Sequence, residues 1–215
     1  MTTKQISAGA CCAVALVLGM GTANASLSLT GGTALNTPAT NDVVGAGVAI
    51  LDDAVIATTA DKVKLEWFFW GSESAATNTL WVNGGTASNT EADNTPPTPV
   101  PFPGFASPWT TYVQATAGSV DMYFTSTEFG GNLTPGGGDA LKSIAFNFLN
   151  DDGSVAGSAT HLVGIFLDDS GAGPDDDFDD YVGYVRGTVV PIPAAVWLFG
   201  SALLGMVGIG TRRAR

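Results

Sequence analysis

The residues with the greatest chemical capacity are seven aspartates in thirteen positions, Asp168-Asp169-Ser170-Gly171-Ala172-Gly173-Pro174-Asp175-Asp176-Asp177-Phe178-Asp179-Asp180. Like charges this close raise one another's pKa values, so a folded loop made of them needs a counter-ion, protonation or wide spacing. A hard cation that takes about six to eight oxygen ligands suits carboxylates and carbonyls on a glycine-bearing turn, and Ca2+ is the natural choice. The candidate ligands are Asp168, Asp169, Asp175, Asp177, Asp179 and Asp180. Asp175, Asp177 and Asp179 have the spacing of the first three ligands of an EF-hand, but the sixth position is Asp180 instead of Gly and the twelfth is Arg186 instead of Glu, which rejects that loop. A calcium loop of the kind carried on β-sandwiches and a solvated acidic loop both stay open.

Other chemistry has thinner support. His161 is the only histidine and abuts the apolar run Leu162–Leu167, so the reading is a satisfied or edge histidine before a general base. Both cysteines, Cys11 and Cys12, lie in the first 25 residues, which leaves no thiolate zinc site in the rest of the chain. No G-x-S-x-G elbow frames a serine, and the many acids give no local frame for a glycosidase pair, so no catalytic residue is assigned. Trp67 is read as core. Trp70 and Trp81 lie near turn signals and are the candidate stacking surfaces for a sugar ring.

The acids have a location. The chain has 20 Asp+Glu against 8 Lys+Arg, a formal charge of −12, and lacks the basic footprint that binds nucleic acid by displacing counterions. Between Ser26 and Val189 the only basic residues are Lys62, Lys64, Lys142 and Arg186; all 20 acids lie in that span, giving it a net charge of −16.

The elements that must position these residues read as strands. Val63–Trp67, Val120–Phe124 and Ile144–Phe148 alternate apolar with other residues, whereas Leu162–Leu167 and Tyr181–Val185 are continuous apolar runs of strand length. Asn83-Gly84-Gly85, Gly130-Gly131-Asn132 and Asp151-Asp152-Gly153 punctuate them. No helical period of ten residues appears before residue 190. The fold class is all-β, an antiparallel sandwich or jelly roll of eight to ten short strands. The proline-rich segment Asn89–Pro108 is expected to be extended loop, because proline has no N–H for a ladder.

The two ends read differently. Residues 1–25 combine Lys4, an uncharged apolar run and Ala23-Asn24-Ala25, the pattern of a cleaved secretory signal peptide. At the other end Val189-Val190-Pro191-Ile192-Pro193 precedes the uncharged run Ala194–Gly210 and then Arg212, Arg213 and Arg215. Seventeen residues at about 1.5 Å each reach roughly 26 Å, enough for a transmembrane helix, with the arginines on the cytoplasmic side. The expected organisation is signal peptide 1–25, exported domain 26–188 and tail 189–215, the tail divided into motif 189–193, helix 194–210 and basic end 211–215.

That tail resembles the PEP-CTERM sorting signal. Val190, Pro191, Ile192 and Pro193 stand in the V-P-(L/I)-P-A-A-x-W-L form of its motif, with Ile192 where the eponymous glutamate would be, and Arg212 and Arg213 stand in its basic end. The resemblance implies an exported protein of a Gram-negative bacterium, parked in the inner membrane and processed by exosortase. It also implies a destination at the cell surface or outside it, among exopolysaccharide or biofilm matrix. Gly71-Ser72-Glu73-Ser74, Thr77-Asn78-Thr79 and the terminal Asp-rich stretch resemble a β-rich exported domain found with such tails, which implies calcium binding and an approach of Glu73 to the acidic loop. The resulting expectation is a non-catalytic, Ca2+-stabilised matrix protein, with a carbohydrate-binding module and then a polysaccharide hydrolase as alternatives.

Overall fold

The computed structural model describes residues 26–36, 43–45, 48–94, 100–137, 142–169, 177–191 and 198–202. Among the described residues there are thirteen strands: β1 (Leu27–Thr30), β2 (Thr33–Asn36), β3 (Ala49–Asp52), β4 (Val55–Thr58), β5 (Val63–Gly71), β6 (Ser74–Val82), β7 (Ala87–Asn94), β8 (Thr110–Gln114), β9 (Gly118–Ser119), β10 (Met122–Ser126), β11 (Ser143–Phe148), β12 (Leu162–Asp168) and β13 (Tyr181–Val189). They form three antiparallel sheets, seven-stranded β2-β3-β11-β12-β13-β5-β8, three-stranded β10-β6-β7 and three-stranded β1-β4-β9. The all-β class holds. The strand count exceeds the expected eight to ten because β1 to β4 have only four residues each and β9 two, too short to display a period.

The core explains which strands alternate and which do not. Leu27, Ile56, Leu65, Trp67, Leu80, Val82, Met122, Phe124, Phe146 and Ile165 come from all three sheets and meet in one fully buried cluster. A second cluster covers the opposite face of the large sheet, where Phe68, Trp70, Phe166, Val182 and Tyr184 lie under Val43, Val100, Phe102 and Phe105. β12 and the first half of β13 are therefore buried on both faces, as their continuous apolar runs require. β6 and β10, covered on one face, alternate.

Part of the segment expected to be loop is a strand. Ala87–Asn94 pairs with β6 along its length, and the proline-bearing stretch follows it. Residues 87–94 contain no proline, and an edge strand of polar residues can be held by ladder bonds from a single neighbour. The β6–β7 turn is the expected one: Asn83, Gly84 and Gly85 all take positive φ, and Asn83 Nδ2 donates to Thr86 Oγ1 at 2.7 Å. The segment after residue 99 is fastened to the second cluster. Val100 N donates to Val43 O at 3.1 Å, Trp70 Nε1 to Val100 O at 3.0 Å, and Tyr184 Oη to Gly104 O.

One ion-pair network ties the middle of the large sheet. Glu66 on β5 accepts from Lys64 Nζ and from both Nε and Nη2 of Arg186 on β13, each at 2.9 Å. Burial opposes the Glu66 charge, but the Lys64 and Arg186 bonds outweigh it and hold the carboxyl below its ordinary range. The Arg186 guanidinium also lies 4.5 Å from the Phe105 ring centroid, a cation–π contact.

Candidate functional site

The chain leaves the large sheet at Asp168, the last residue of β12, and rejoins it at Tyr181, the first of β13. Leu167 and Tyr181 are ladder partners, so the two acidic flanks are brought side by side by strand pairing itself. Asp168, Asp169, Asp177, Asp179 and Asp180 are all 5% exposed or less. Asp175 lies outside the described residues. Between the acids, Phe178 adopts φ 61° and buries its ring in the second cluster. A left-handed φ costs a residue with Cβ about 1–2 kcal/mol, which the buried ring offsets.

The small sheet supplies the other wall. The short turn between β5 and β6 sets Glu73 N against Asp179 O at 2.8 Å, the approach of residue 73 that the resemblance implied. Ser74 and Asn78, four residues apart on the inward face of β6, reach Asp169: Ser74 Oγ donates to Asp169 Oδ2 at 3.0 Å and Asn78 Nδ2 donates to the same oxygen at 2.7 Å. Asn78 Nδ2 also lies 3.2 Å from Ser74 Oγ and 3.2 Å from Asp180 O, and Ser126 Oγ on β10 is 3.5 Å from Asp169 Oδ2. Asp169 N donates to Asp180 Oδ2 at 2.7 Å.

Burial is the main cause that pushes the Asp180 carboxyl up to about 8; the Asp169 backbone N–H opposes this, and the charges of Asp169, Asp168 and Asp177 add to it. A carboxylate taken out of water costs several kcal/mol unless paired or well hydrogen-bonded. Of the four basic residues in 26–189, Lys64 and Arg186 are committed to Glu66.

Oxygen ligands of the kind a hard cation takes meet at this junction, bonded to one another through the Ser74 hydroxyl and the Asn78 Nδ2. The junction brings together carboxylates, a hydroxyl, a carbonyl and an amide, and Asn78 Oδ1 is fully buried with no hydrogen-bond partner. Among the described residues no three carboxylates converge on one coordinating point, so neutral oxygens from β6 and the Asp180 backbone would have to complete the shell. Ser74, Asn78 and Ser126 were not among the residues singled out as ligands. The two patches that carry the resemblance, 71–74 and 77–79, contain the first two.

The other candidates separate. Trp70 is buried in the second cluster, its ring edge-on to Phe102 at 5.0 Å and its Nε1 bonded, which corrects the reading of it as a sugar-stacking surface. An aromatic residue between two apolar strand neighbours on a sheet covered on both faces has no exposed side, whatever turn follows. Trp81 points away from the core, half-buried beside Tyr123. Trp67 is fully buried, as expected. His161 Nε2 lies 3.1 Å from Asp151 Oδ1 at the surface.

In the tail, Val190 N donates to Lys62 O at 2.8 Å and Pro191 is exposed. Ile192, Pro193, Arg212 and Arg213, like the signal peptide, lie outside the described residues. Residues 198–202 are helical with Leu198 and Phe199 exposed, and no described helix is long and apolar enough to cross a membrane.

The fold and site together define an all-β antiparallel protein with a buried acidic junction between sheets. Comparison with family models, curated proteins and solved structures finds no match to the chain.

Proposed function

We propose that this is an exported, non-catalytic component of a Gram-negative envelope or extracellular matrix, a β-sandwich locked by Ca2+ where its sheets meet. Residues 1–25 direct export and are removed. The span 194–210 holds the protein in the inner membrane with its C-terminus cytoplasmic, and exosortase reads the motif at Val189–Pro193. The protein is then delivered to the cell surface or beyond, among exopolysaccharide.

The observation that carries the molecular part is the burial of five aspartates at one junction, where the Asp169 carboxylate bonds Ser74 and Asn78 and the Asp180 carbonyl bonds Asn78. Asp169 and Asp180 with Ser74, Asn78 and the Asp180 carbonyl are the proposed ligand set, joined by acids of the 168–180 stretch. A divalent ion there replaces mutual repulsion with attraction and links β6 to the β12–β13 turn, so it acts as a fastener between layers. An exterior rich in Ca2+ supplies that ion after export.

The test is calorimetry of the chain with EDTA and with millimolar Ca2+. Ligand binding to the native state alone raises the melting temperature, by the equivalent of about 2.7 kcal/mol at a hundredfold excess over Kd. Ca2+ is expected to raise it, with the rise lost when Asp177, Asp179 and Asp180 are changed to Asn. An unchanged melting temperature across the titration would remove calcium from the proposal.

A further inference from the structure

The outward face of the β10-β6-β7 sheet sets two aromatic rings among hydroxyl side chains. Strand alternation puts Leu80, Val82, Met122 and Phe124 into the core, which leaves Thr77, Thr79 and Trp81 of β6, Ser88 and Thr90 of β7, and Tyr123 and Thr125 of β10 on the other side. The register lines them up across the sheet in two rows, Ser88·Trp81·Tyr123 and Thr90·Thr79·Thr125. None of these seven positions carries a charge, in a span with a net charge of −16. Asp121, just before β10, marks the rim beside the 83–86 turn.

The two aromatic rings are arranged together and held. Trp81 and Tyr123 lie nearly parallel, 13° between planes with centroids 6.0 Å apart. Neither belongs to a core cluster, and both remain partly exposed. Trp81 Nε1 donates to Thr125 Oγ1 at 3.0 Å, which fixes the indole before any ligand arrives. Pre-ordering of this kind removes part of the entropy cost of binding. Thr79 is buried and shares one bond at 2.9 Å with Thr90, whose exposed hydroxyl keeps further acceptor capacity.

We infer that this face binds a neutral polysaccharide, with Trp81 and Tyr123 stacking on the C–H faces of its sugar rings and Thr90, Thr125 and Ser88 bonding its hydroxyls. The absence of charge at these seven positions and the negative charge around them select against acidic polymers. Aromatic rings set among hydroxyls, with no large aliphatic side chain, fit an amphipathic polyol better than an apolar protein surface. The inference supplies the matrix association proposed above with a surface, and it stands apart from both the tail and the ion: a protein that binds glycan without responding to Ca2+ would keep this part and lose the other.

The experiment is affinity electrophoresis of the full chain in native gels containing β-glucan, xyloglucan, galactomannan, dextran or, as the acidic comparison, alginate. Retardation by at least one neutral polymer is expected, and none by alginate in EDTA. Trp81→Ala and Tyr123→Ala are each expected to weaken it about tenfold. Thr125→Val, which frees the indole without opening the core, gives a smaller loss at an unchanged melting temperature and guards against misfolding of the aromatic variants. Retardation by none of the neutral polymers, or retardation that survives Trp81→Ala, overturns the inference. So does a dimer of the unaltered protein that Trp81→Ala splits in the absence of any glycan effect, which would make the face a contact between copies.

Discussion

Asp180 sits where burial and neighbouring charges work against ionisation, and its titration gives the junction a measurable signature. In the unfolded chain this carboxyl has its ordinary value of 3.8, and in the folded protein it is pushed up to about 8, first by burial and then by Asp169, Asp168 and Asp177. Between those values the native state keeps a proton that the unfolded chain has lost, so metal-free stability falls as pH rises from about 4 to about 8. Calorimetry in EDTA is expected to show a lower melting temperature at pH 8 than at pH 5. Ca2+ binds the ionised form, so its stabilisation is expected to be larger at pH 8. Asp180→Asn keeps an acceptor for Asp169 N but cannot ionise; it should flatten the pH slope, raise the metal-free melting temperature at pH 8 and remove the calcium response. A variant that melts below the unaltered protein in EDTA at pH 8 would show that the repulsion is not there.

At the scale of elements, the large sheet carries apolar cover on both faces, and that decides the role of Trp70. Its ring packs against Phe102 and Tyr184 beneath the 100–105 segment. Trp70→Ala is expected to cost about 3–5 kcal/mol in denaturant unfolding, as other large core truncations do, while glycan retardation at native pH stays as in the unaltered protein. A near-neutral Trp70→Ala would mean that the segment is not seated on the sheet. The same double cover explains what could be read from the sequence. Runs such as Leu162–Leu167 are legible as strands by their length and continuous apolarity, and Asn83-Gly84-Gly85 is legible as a turn through its glycines. β7 was hidden because an edge strand of Ser, Asn, Thr and Glu gains its stability from the neighbour's backbone, which leaves no mark in side-chain hydropathy. At the junction the aspartates were legible by density alone. Ser74 and Asn78 were not, because their part depends on which sheet edge the β5–β6 turn meets, a contact spanning 95 residues between Ser74 and Asp169.

At the scale of the whole molecule, the boundary between folded domain and tail matters for any test of sorting. The sequence division ends the domain at residue 188, but β13 continues through Val189, which pairs with Val63, and Val190 N bonds Lys62 O. Under the sorting proposal, a tail that begins inside a strand next to the core would transmit any pull on the span 194–210 directly into the large sheet. Two truncations separate the consequences. Removal of 192–215 leaves the ladder whole and, under the sorting proposal, should release the exported protein into the soluble fraction with an unchanged melting temperature. Removal of 189–215 should release it equally but less stable, by about 1–2 kcal/mol for two lost ladder bonds and a partly buried valine, or roughly 2–8 °C for a domain of this size. Fractionation and calorimetry of the pair read the two effects independently. Retention of both truncated proteins in the membrane would remove the anchoring role from the tail, and equal melting temperatures would place the end of the folded domain before Val189.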